Sequence, residues 1–259
     1  MKLCRFELVA EPGEPRTGLY YEGKFYETDG EQAIAIHESD QGQLLMPLVA
    51  APSVRLFSTA VEGPGAGQSG YRFLNPSRLF GPNRTLPLPE ADGGYDLTAT
   101  VAAIVAGDGA FVRPEEATAF ILGYTLLIAL RAPDVSERAD TLGLPDGLAH
   151  DVGLFIGPVI TTPDEVADLS DTGEPTSFVW DFRLRVNGEQ VAAGEERVGP
   201  YGDCVVEASR FGPVRGGEVL GGPALVTSVL GVAPPLGGGD LIEFEVQRLG
   251  RLVARLDSA

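Results

Sequence analysis

The frequency and placement of glycine and proline limit this fold more than any other feature of the chain. With 34 Gly and 20 Pro in 259 residues, many short elements must be joined by tight turns. That pattern predicts a β-rich α+β fold with few helices.

The opening KLCRFELVAEPGEPRTGLYYEGKFYET alternates apolar and polar residues. It predicts a three-stranded meander that turns at Pro12-Gly13 and at Glu22-Gly23. A short helix is expected over Glu31 to His37. The Pro-bounded stretch LLMPLVAAP, Leu44 to Pro52, reads as an extended connector. It divides a small N-terminal β domain (1–50) from a larger β-roll domain (51–259). Ser53 to Ala60 is strand-like. The glycines of the following EGPGAGQSG supply turn geometry rather than a phosphate cradle, because no lysine and no helix-opening pattern comes after them.

Tyr95 to Ala106, YDLTATVAAIVA, reads as one strand, alternating at first and then continuously apolar. Arg113-Pro114-Glu115-Glu116 opens a helix, with proline in the first turn and acids at the positive end of the dipole. That helix is expected to reach about Leu122 and stop at Gly123. The TLLIAL that follows is a core strand or more helix, and periodicity alone does not decide. GLFIGPVIT, TSFVWDFRLRVNGEQVA, CVVEAS and LIEFEVQRLGRLVARL all look like strands, and Asn187-Gly188 is the strongest hairpin signal. No solenoid-type repeat is present.

Charge and cysteine usage exclude several functions. The formal net charge is -18, from 37 acidic and 19 basic residues, so nucleic acid and anionic membranes are not expected as partners. The two cysteines, Cys4 and Cys204, make neither a disulfide framework nor a metal-type spacing. The N-terminus has no apolar signal core, and the longest apolar run, Ala119 to Leu130, has twelve residues against the roughly 20 needed to cross a bilayer. A cytoplasmic location is the expectation.

Several phrases, in order along the whole chain, resemble the fumarylacetoacetate hydrolase family. RF…G…TGLYYEGKFYE is similar to its small N-terminal domain, and LLMPLVAAPSVRLFS to its connector and first core strand. Phe73-Leu74-Asn75-Pro76-Ser77, Gly81-Pro82-Asn83 and Leu86-Pro87-Leu88-Pro89 resemble its F-x-K-P-x-S, G-P and L-P phrases. Glu115-Glu116-Ala117 through Gly123-Tyr124-Thr125 resembles the helix ending in G-Y-T. Asp151 with Gly157-Pro158-Val159-Ile160-Thr161-Thr162 resembles D-x-F-x-P-x-G-P and its strand. Val186-Asn187-Gly188-Glu189, Gly217-Glu218-Val219-Leu220 and Gly239-Asp240 complete the series.

The resemblance implies a mixed β-sandwich roll with a small N-terminal domain, an active site at the mouth of the roll, and usually a homodimer. It also implies Mg²⁺ or Mn²⁺ held by three carboxylates. That ion polarises a dicarbonyl or 2-oxo acid substrate while a Lys and a His–Glu pair assist hydrolysis or decarboxylation. This chain departs from the pattern at those positions. The family's E-x-E ligands fall on Thr98 and Thr100, its third ligand on Ala129 and its lysine on Leu148. The region of the His–Glu pair reads STAVEGPGAGQSG, without histidine, and Glu62 has no positional match there. Two hydroxyls and a methyl bring no anionic charge to a hard dication, so no metal and no other cofactor is expected. Asp134-Val135-Ser136-Glu137-Arg138 resembles the third-ligand phrase shifted by five residues. Asp134 is therefore either that ligand or a turn residue capping the next helix.

Only two histidines occur. His37, beside Glu38, reads as surface. His150 adjoins Asp151, and the two are candidate acid–base groups, although neighbours on a strand point to opposite faces. Arg131, following a buried apolar run, needs an anion, supplied either by a protein carboxylate or by a ligand. Tyr71 and Arg72 are placed at the mouth, and Trp180 in the core. Thr98, Thr100, Thr227 and Ser228 offer hydroxyls to a substrate, with Ala129 and Leu148 as neighbouring walls. No nucleophile elbow accompanies them. The expected function is a metal-independent enzyme acting on a small carbonyl-rich metabolite. The alternative is a non-catalytic homologue serving as a binding or partner subunit. An enzyme requires an enclosed pocket at Thr98, Thr100, Ala129 and Leu148.

Overall fold

The computed structural model describes residues 1–59, 69–89, 91–144, 146–170, 173 and 176–259. The Gly-rich loop and Glu62 lie almost wholly outside them.

Short strands dominate, as the Gly and Pro spacing predicts. The first half of the chain contributes β1 (Lys2–Leu8), β2 (Glu11–Tyr21), β3 (Lys24–Thr28), β4 (Ala33–Glu38), β5 (Gly42–Leu44), β6 (Val54–Thr59), β7 (Ser69–Leu74), β8 (Leu79–Phe80), β9 (Thr85–Leu88), β10 (Asp96–Val105) and β11 (Ile121–Arg131). After helix α1 (Pro133–Thr141) come β12 (Leu154–Thr161), β13 (Phe178–Val186) and β14 (Glu189–Val198). Helix α2 (Tyr201–Ser209), β15 (Val219–Gly221), β16 (Leu241–Val246) and β17 (Gly250–Ser258) complete the chain.

Two mixed sheets face each other. The larger runs β4-β3-β2-β1-β12-β11-β10-β15-β6-β7, with β5 on β1 and β8 on β12; the smaller runs β14-β13-β16-β17-β9. Most neighbours are antiparallel, but β15–β6, β12–β8 and β17–β9 are parallel. This is the expected mixed β-sandwich roll. The N-terminal strands have a small cluster of their own, Cys4, Phe6 and Phe25 with Val159. Their hydrogen bonding continues into the body, because β1 pairs with β12 at Lys2↔Thr161 and Leu3↔Ile160.

Strand alternation builds the core. On β10, Leu97, Ala99, Val101, Ala103 and Val105 face the smaller sheet, with Leu126, Ile128 and Leu130 of β11. They meet Trp180, Leu184 and Phe244 across the sandwich. Trp180, Phe178, Tyr124 and Tyr201 form an aromatic knot, with centroids 5.0 Å apart for Tyr124–Phe178, 5.1 Å for Phe178–Trp180 and 5.2 Å for Tyr124–Tyr201. Such pairs contribute about 0.5–1.5 kcal/mol each beyond area burial. The opposite face of β10 begins polar, with Asp96, Thr98 and Thr100, and ends apolar, with Ala102 and Ile104 in a second cluster. The candidate site lies at that polar end.

Several local expectations are corrected. Pro12-Gly13 lies inside β2, and the reversal comes earlier, at Val9–Ala10. Gly13 has φ +87°, and the β1–β2 register shifts between Phe6 and Leu8, so the dipeptide makes a bulge instead of a turn. Glu31 to His37 is not a helix: AIAIHE alternates with period two and forms β4. The helix after Arg113 is a 3₁₀ segment ending at Phe120, and Ile121 through Arg131 are all strand. CVVEAS is helical, because Tyr201, Cys204, Val205 and Ala208 are buried at helical spacing within α2. The hairpins at Glu22-Gly23 and Asn187-Gly188 occur as predicted, with positive φ at all four residues. His37 is half-buried, with Nε2 3.0 Å from Glu27 and its ring against Phe6.

Candidate active site

Register places the three positions the resemblance marks as metal-ligand sites side by side. Thr98 on β10 is the direct cross-strand partner of Ala129 on β11, and Thr100 is the next residue on the same face. One step toward the strand end, Asp96 pairs with Arg131. The open edge of β10 is covered by the segment after β15, where Gly222 N–H donates to Val101 O and the N–H groups of Leu225 and Val226 donate to Ala99 O. That crossing brings Thr227 against Thr98, whose Oγ1 donates to the Thr227 carbonyl at 3.3 Å.

A cavity of about 190 Å³ opens there. Its polar lining includes Arg72, Thr98, Arg131, His150 and Thr227, and Leu56, Phe57 and Ala224 form an apolar wall. Each side chain arrives by a separate element. Arg72 stands on β7 opposite Leu56 of β6. His150 ends a 3₁₀ turn anchored to the end of β11 by the Ala132 N–H to Ala149 O bond, and it is 2% exposed.

Arg131 is held from below by Asp96. Asp96 is fully buried and accepts four hydrogen bonds, from Leu97 N–H (2.8 Å), Val229 N–H (2.9 Å), Ser228 Oγ (2.7 Å) and Arg131 Nη2 (2.9 Å). Burial pushes its carboxyl up, but the bonds from Val229, Ser228, Arg131 and Leu97 outweigh that and hold it below the ordinary carboxylate value. Asp96 is thus a saturated anion whose visible role is to orient Arg131. The sequence reading did not single it out. The available signal was its position two residues before Thr98, which puts it on the same face.

The remaining expected residues do not gather in the cavity. Thr100 is buried, and its hydroxyl donates toward Pro223 O (2.9 Å) and Gly222 O (3.1 Å). Ala129 packs in the second apolar cluster. Leu148 is 47% exposed. Asp151 is exposed and accepts from Asn75 Nδ2 at 2.7 Å. His150 and Asp151 therefore diverge, one into the cavity and the other to Asn75. Tyr71 packs between Phe57 and Phe73 beneath the Arg55 guanidinium. Ser228 serves Asp96. The enclosed pocket expected at Thr98, Thr100, Ala129 and Leu148 is not formed by those residues together; the cavity shares only Thr98 with that set. The two buried thiols are poor nucleophiles, since burial pushes both Cys4 and Cys204 up to about 12.

Residues 60–257 match the fumarylacetoacetate (FAA) hydrolase C-terminal family. The chain belongs to the fumarylacetoacetate hydrolase family. Relatives within the family include a 2,4-didehydro-3-deoxy-L-rhamnonate hydrolase of Sphingomonas sp. (strain SKA58), 28% identical over 191 residues, which are 67% of this chain and 60% of that protein. A mitochondrial oxaloacetate tautomerase of Xenopus laevis is 26% identical over 184 residues, 68% of this chain and 54% of that protein. The chain thus spans little more than half the length of these two relatives. The crystal structure of a 5-carboxymethyl-2-hydroxymuconate delta-isomerase from Mycobacterium smegmatis superimposes with a TM-score of 0.80, covering 100% of this chain and 99% of that one at 19% identity. That likeness concerns the fold.

The divalent ion implied by the family resemblance does not fit the residues present. Thr98 and Thr100 offer neutral hydroxyls, the second already directed at carbonyl oxygens, and Ala129 offers no donor. No group of three or more His, Cys, Asp or Glu side chains suited to a metal occurs among the described residues. Asp96 is saturated. Asp134 stands in the first turn of α1, where its Oδ1 accepts its neighbour Val135 N–H, and it lines a separate hollow with Asp92 and Tyr95. It neither caps the helix, whose N-cap is Ala132, nor reaches the cavity. Two guanidiniums line the cavity instead.

Proposed function

We propose that this chain is a diverged, metal-independent enzyme of the family. Its substrate would be a small carbonyl-rich metabolite, an oxo acid or a polyketide-like molecule, and its reaction C–C cleavage, decarboxylation, isomerisation or cyclisation. One observation carries the reading: the cavity collects Arg72, Thr98, Arg131, His150 and Thr227, Thr98 being one of the positions the resemblance marks for a ligand. All four reactions pass through negative charge developing on a carbonyl oxygen, which fixed donors stabilise best when they need no reorganisation. Arg131, held by Asp96, is such a donor. His150 is the group that can carry a proton, and Thr98 and Thr227 orient the substrate. Placement in secondary metabolism, a cytoplasmic location and a homodimer belong to the same proposal.

The test is turnover in EDTA of a panel of 2-oxo acids and 1,3-dicarbonyl compounds, followed by NMR. At least one compound should be converted without added metal, and His150→Ala should slow that conversion by about 10²-fold or more. Conversion only on adding Mg²⁺ or Mn²⁺ would sink the reading.

A second reading has its own support. The cavity is smaller than the roughly 300–1,000 Å³ of ordinary ligand sites, and Thr100 and Ala129 are packed instead of presented. A non-catalytic homologue acting as a binding or partner subunit would show no turnover with the panel and no loss on His150→Ala.

A further inference from the structure

We infer that the edge strand β4 is the pairing surface for a second copy of this chain, joining the larger sheets of two protomers antiparallel about a two-fold axis at Ile36. The inference goes beyond the proposed function. It shares with that reading only the two-fold state, and nothing in it depends on the reaction.

The first argument is the edge itself. β4 ends the larger sheet, and among the described residues no strand pairs with its outer side. An open edge is a template for further pairing, and proteins blunt it with proline or charge. The other sheet edges follow that rule. β9 carries Pro87, β7 carries Arg72, and β14 carries Glu195, Glu196 and Arg197. β4 reads AIAIHE, and its first four residues carry neither device. Ile34 and Ile36 are 55% and 59% exposed. The register shift against β3 lies between Glu27 and Thr28, so Ala35 to Glu38 form a regular, pairable stretch. The Glu38 N–H turns away from β3 to Gln41 Oε1 at 2.9 Å. Backbone groups alternate in direction along a strand, so those of Ile36, two residues earlier, point outward as well.

The second argument is the face behind that edge. Register sets Leu3 opposite Leu19, Leu19 opposite Tyr26, and Tyr26 opposite Ile36. One apolar row therefore crosses four strands and runs off the sheet at β4. Leu3, Leu19 and Tyr26 are half-buried, and Ile36 at the end is exposed.

Charge and symmetry together select the occupant. With a formal charge of -18 on each copy, two chains repel over most of their surfaces, and contact is least opposed where charge is absent. The row contains no charge, and Lys24 and Glu38 beside it already pair with each other at 2.9 Å. A two-fold axis at Ile36 sets that residue against Ile36 of the second copy, and the apolar row continues unbroken across both sheets. The contact is self-complementary and uses up both edges, so association stops at two.

Sedimentation equilibrium of the full chain at micromolar concentrations tests the pairing. The protein should be a dimer whose mass does not grow further with concentration. Ile36→Lys would set two ammonium groups opposite each other and should raise the dissociation constant by about a hundredfold or more. An unchanged urea midpoint would show that this exposed substitution leaves the fold intact. Ile36→Cys gives the same contact a covalent readout, because paired strand positions lie about 5.5 Å apart at Cα, within disulfide reach. Diamide, which takes up the two electrons and two protons released by a thiol pair, should convert this variant to a linked dimer. Cys4 and Cys204 are buried, and Glu195→Cys on β14 serves as the exposed control. A dimer that survives Ile36→Lys, cross-linking of Ile36→Cys no better than the control, or growth beyond two copies would overturn the β4 pairing and leave a homodimer standing. A wild-type monomer would overturn the pairing and the homodimer together, and the metal-free reaction would stand apart from either result.

Discussion

At the scale of single residues, Asp96 has the clearest consequences. Its carboxylate is buried, accepts four hydrogen bonds and is held below its ordinary pKa. A lowered folded value means its contribution to stability is fully present above the unfolded value of about 3.9 and is lost as pH falls through the folded one. Asp96→Asn should therefore cost about 3–5 kcal/mol at neutral pH, since the variant leaves Arg131 without its anion. It should also flatten the acid limb of the stability curve below about pH 4. Urea unfolding at a series of pH values reads both effects; an acid limb unchanged by the substitution would refute the assignment. The missing donors at Thr98, Thr100 and Ala129 make a second residue-scale prediction. A ligand present at 100 times its Kd stabilises a fold by about 2.7 kcal/mol; without such a site, millimolar Mg²⁺ or Mn²⁺ added in about 0.1 M salt, where the charge is already screened, should leave the melting temperature unmoved. A rise of several degrees, reversed by EDTA, would contradict it.

At the scale of elements, close strand approach matters more than propensity. Gly123 on β11 has no side chain because an added Cβ would stand 2.5 Å from Thr161 O and 2.8 Å from Ile160 Cγ2. Gly123→Ala must push β11 away from β12, and overpacking of that kind costs about 1–3 kcal/mol. At the β13–β14 hairpin, Gly188 has φ +83° but open space around it. Gly188→Ala there should cost only about 1 kcal/mol. Urea midpoints of the two variants rank the effects, and a larger loss at Gly188 would reverse the argument. β11 also sets the position of Arg131 relative to Thr98, so Gly123→Ala should loosen the cavity as well as the sheet.

At the scale of the whole molecule, net charge opposes compactness. With a formal charge of -18, self-repulsion is screened as ionic strength rises, the Debye length falling from about 30 Å at 0.01 M to about 10 Å at 0.1 M. The melting temperature should climb by a few degrees across that range, roughly 2–4 °C for each kcal/mol of relief. A flat or falling melting temperature would show that local ion pairs outweigh the global term. Among the described residues, no helix is long and apolar enough to cross a membrane.

Read alone, the sequence yielded the β-rich architecture and the family resemblance. Alternation in YDLTATVAAIVA and the turn pairs Glu22-Gly23 and Asn187-Gly188 are local signals, so β10 and two hairpins were legible in advance. The absence of carboxylates at Thr98, Thr100 and Ala129 is a matter of residue type, and residue type is what a sequence states. Short apolar windows were not legible. Six residues of CVVEAS cannot separate a strand from a helix, and only the burial of Tyr201 with Cys204, Val205 and Ala208 does. The site was half legible, since Arg72, Thr98, Arg131, His150 and Thr227 were named and do line one cavity. Asp96 was overlooked, and neither the closing of Thr100 onto backbone carbonyls nor the outward turn of Leu148 could be foreseen. Those outcomes depend on which segment crosses β10 and on which donors converge on one carboxylate. Both are distances between residues far apart in the chain, and only the folded sheet brings them within reach.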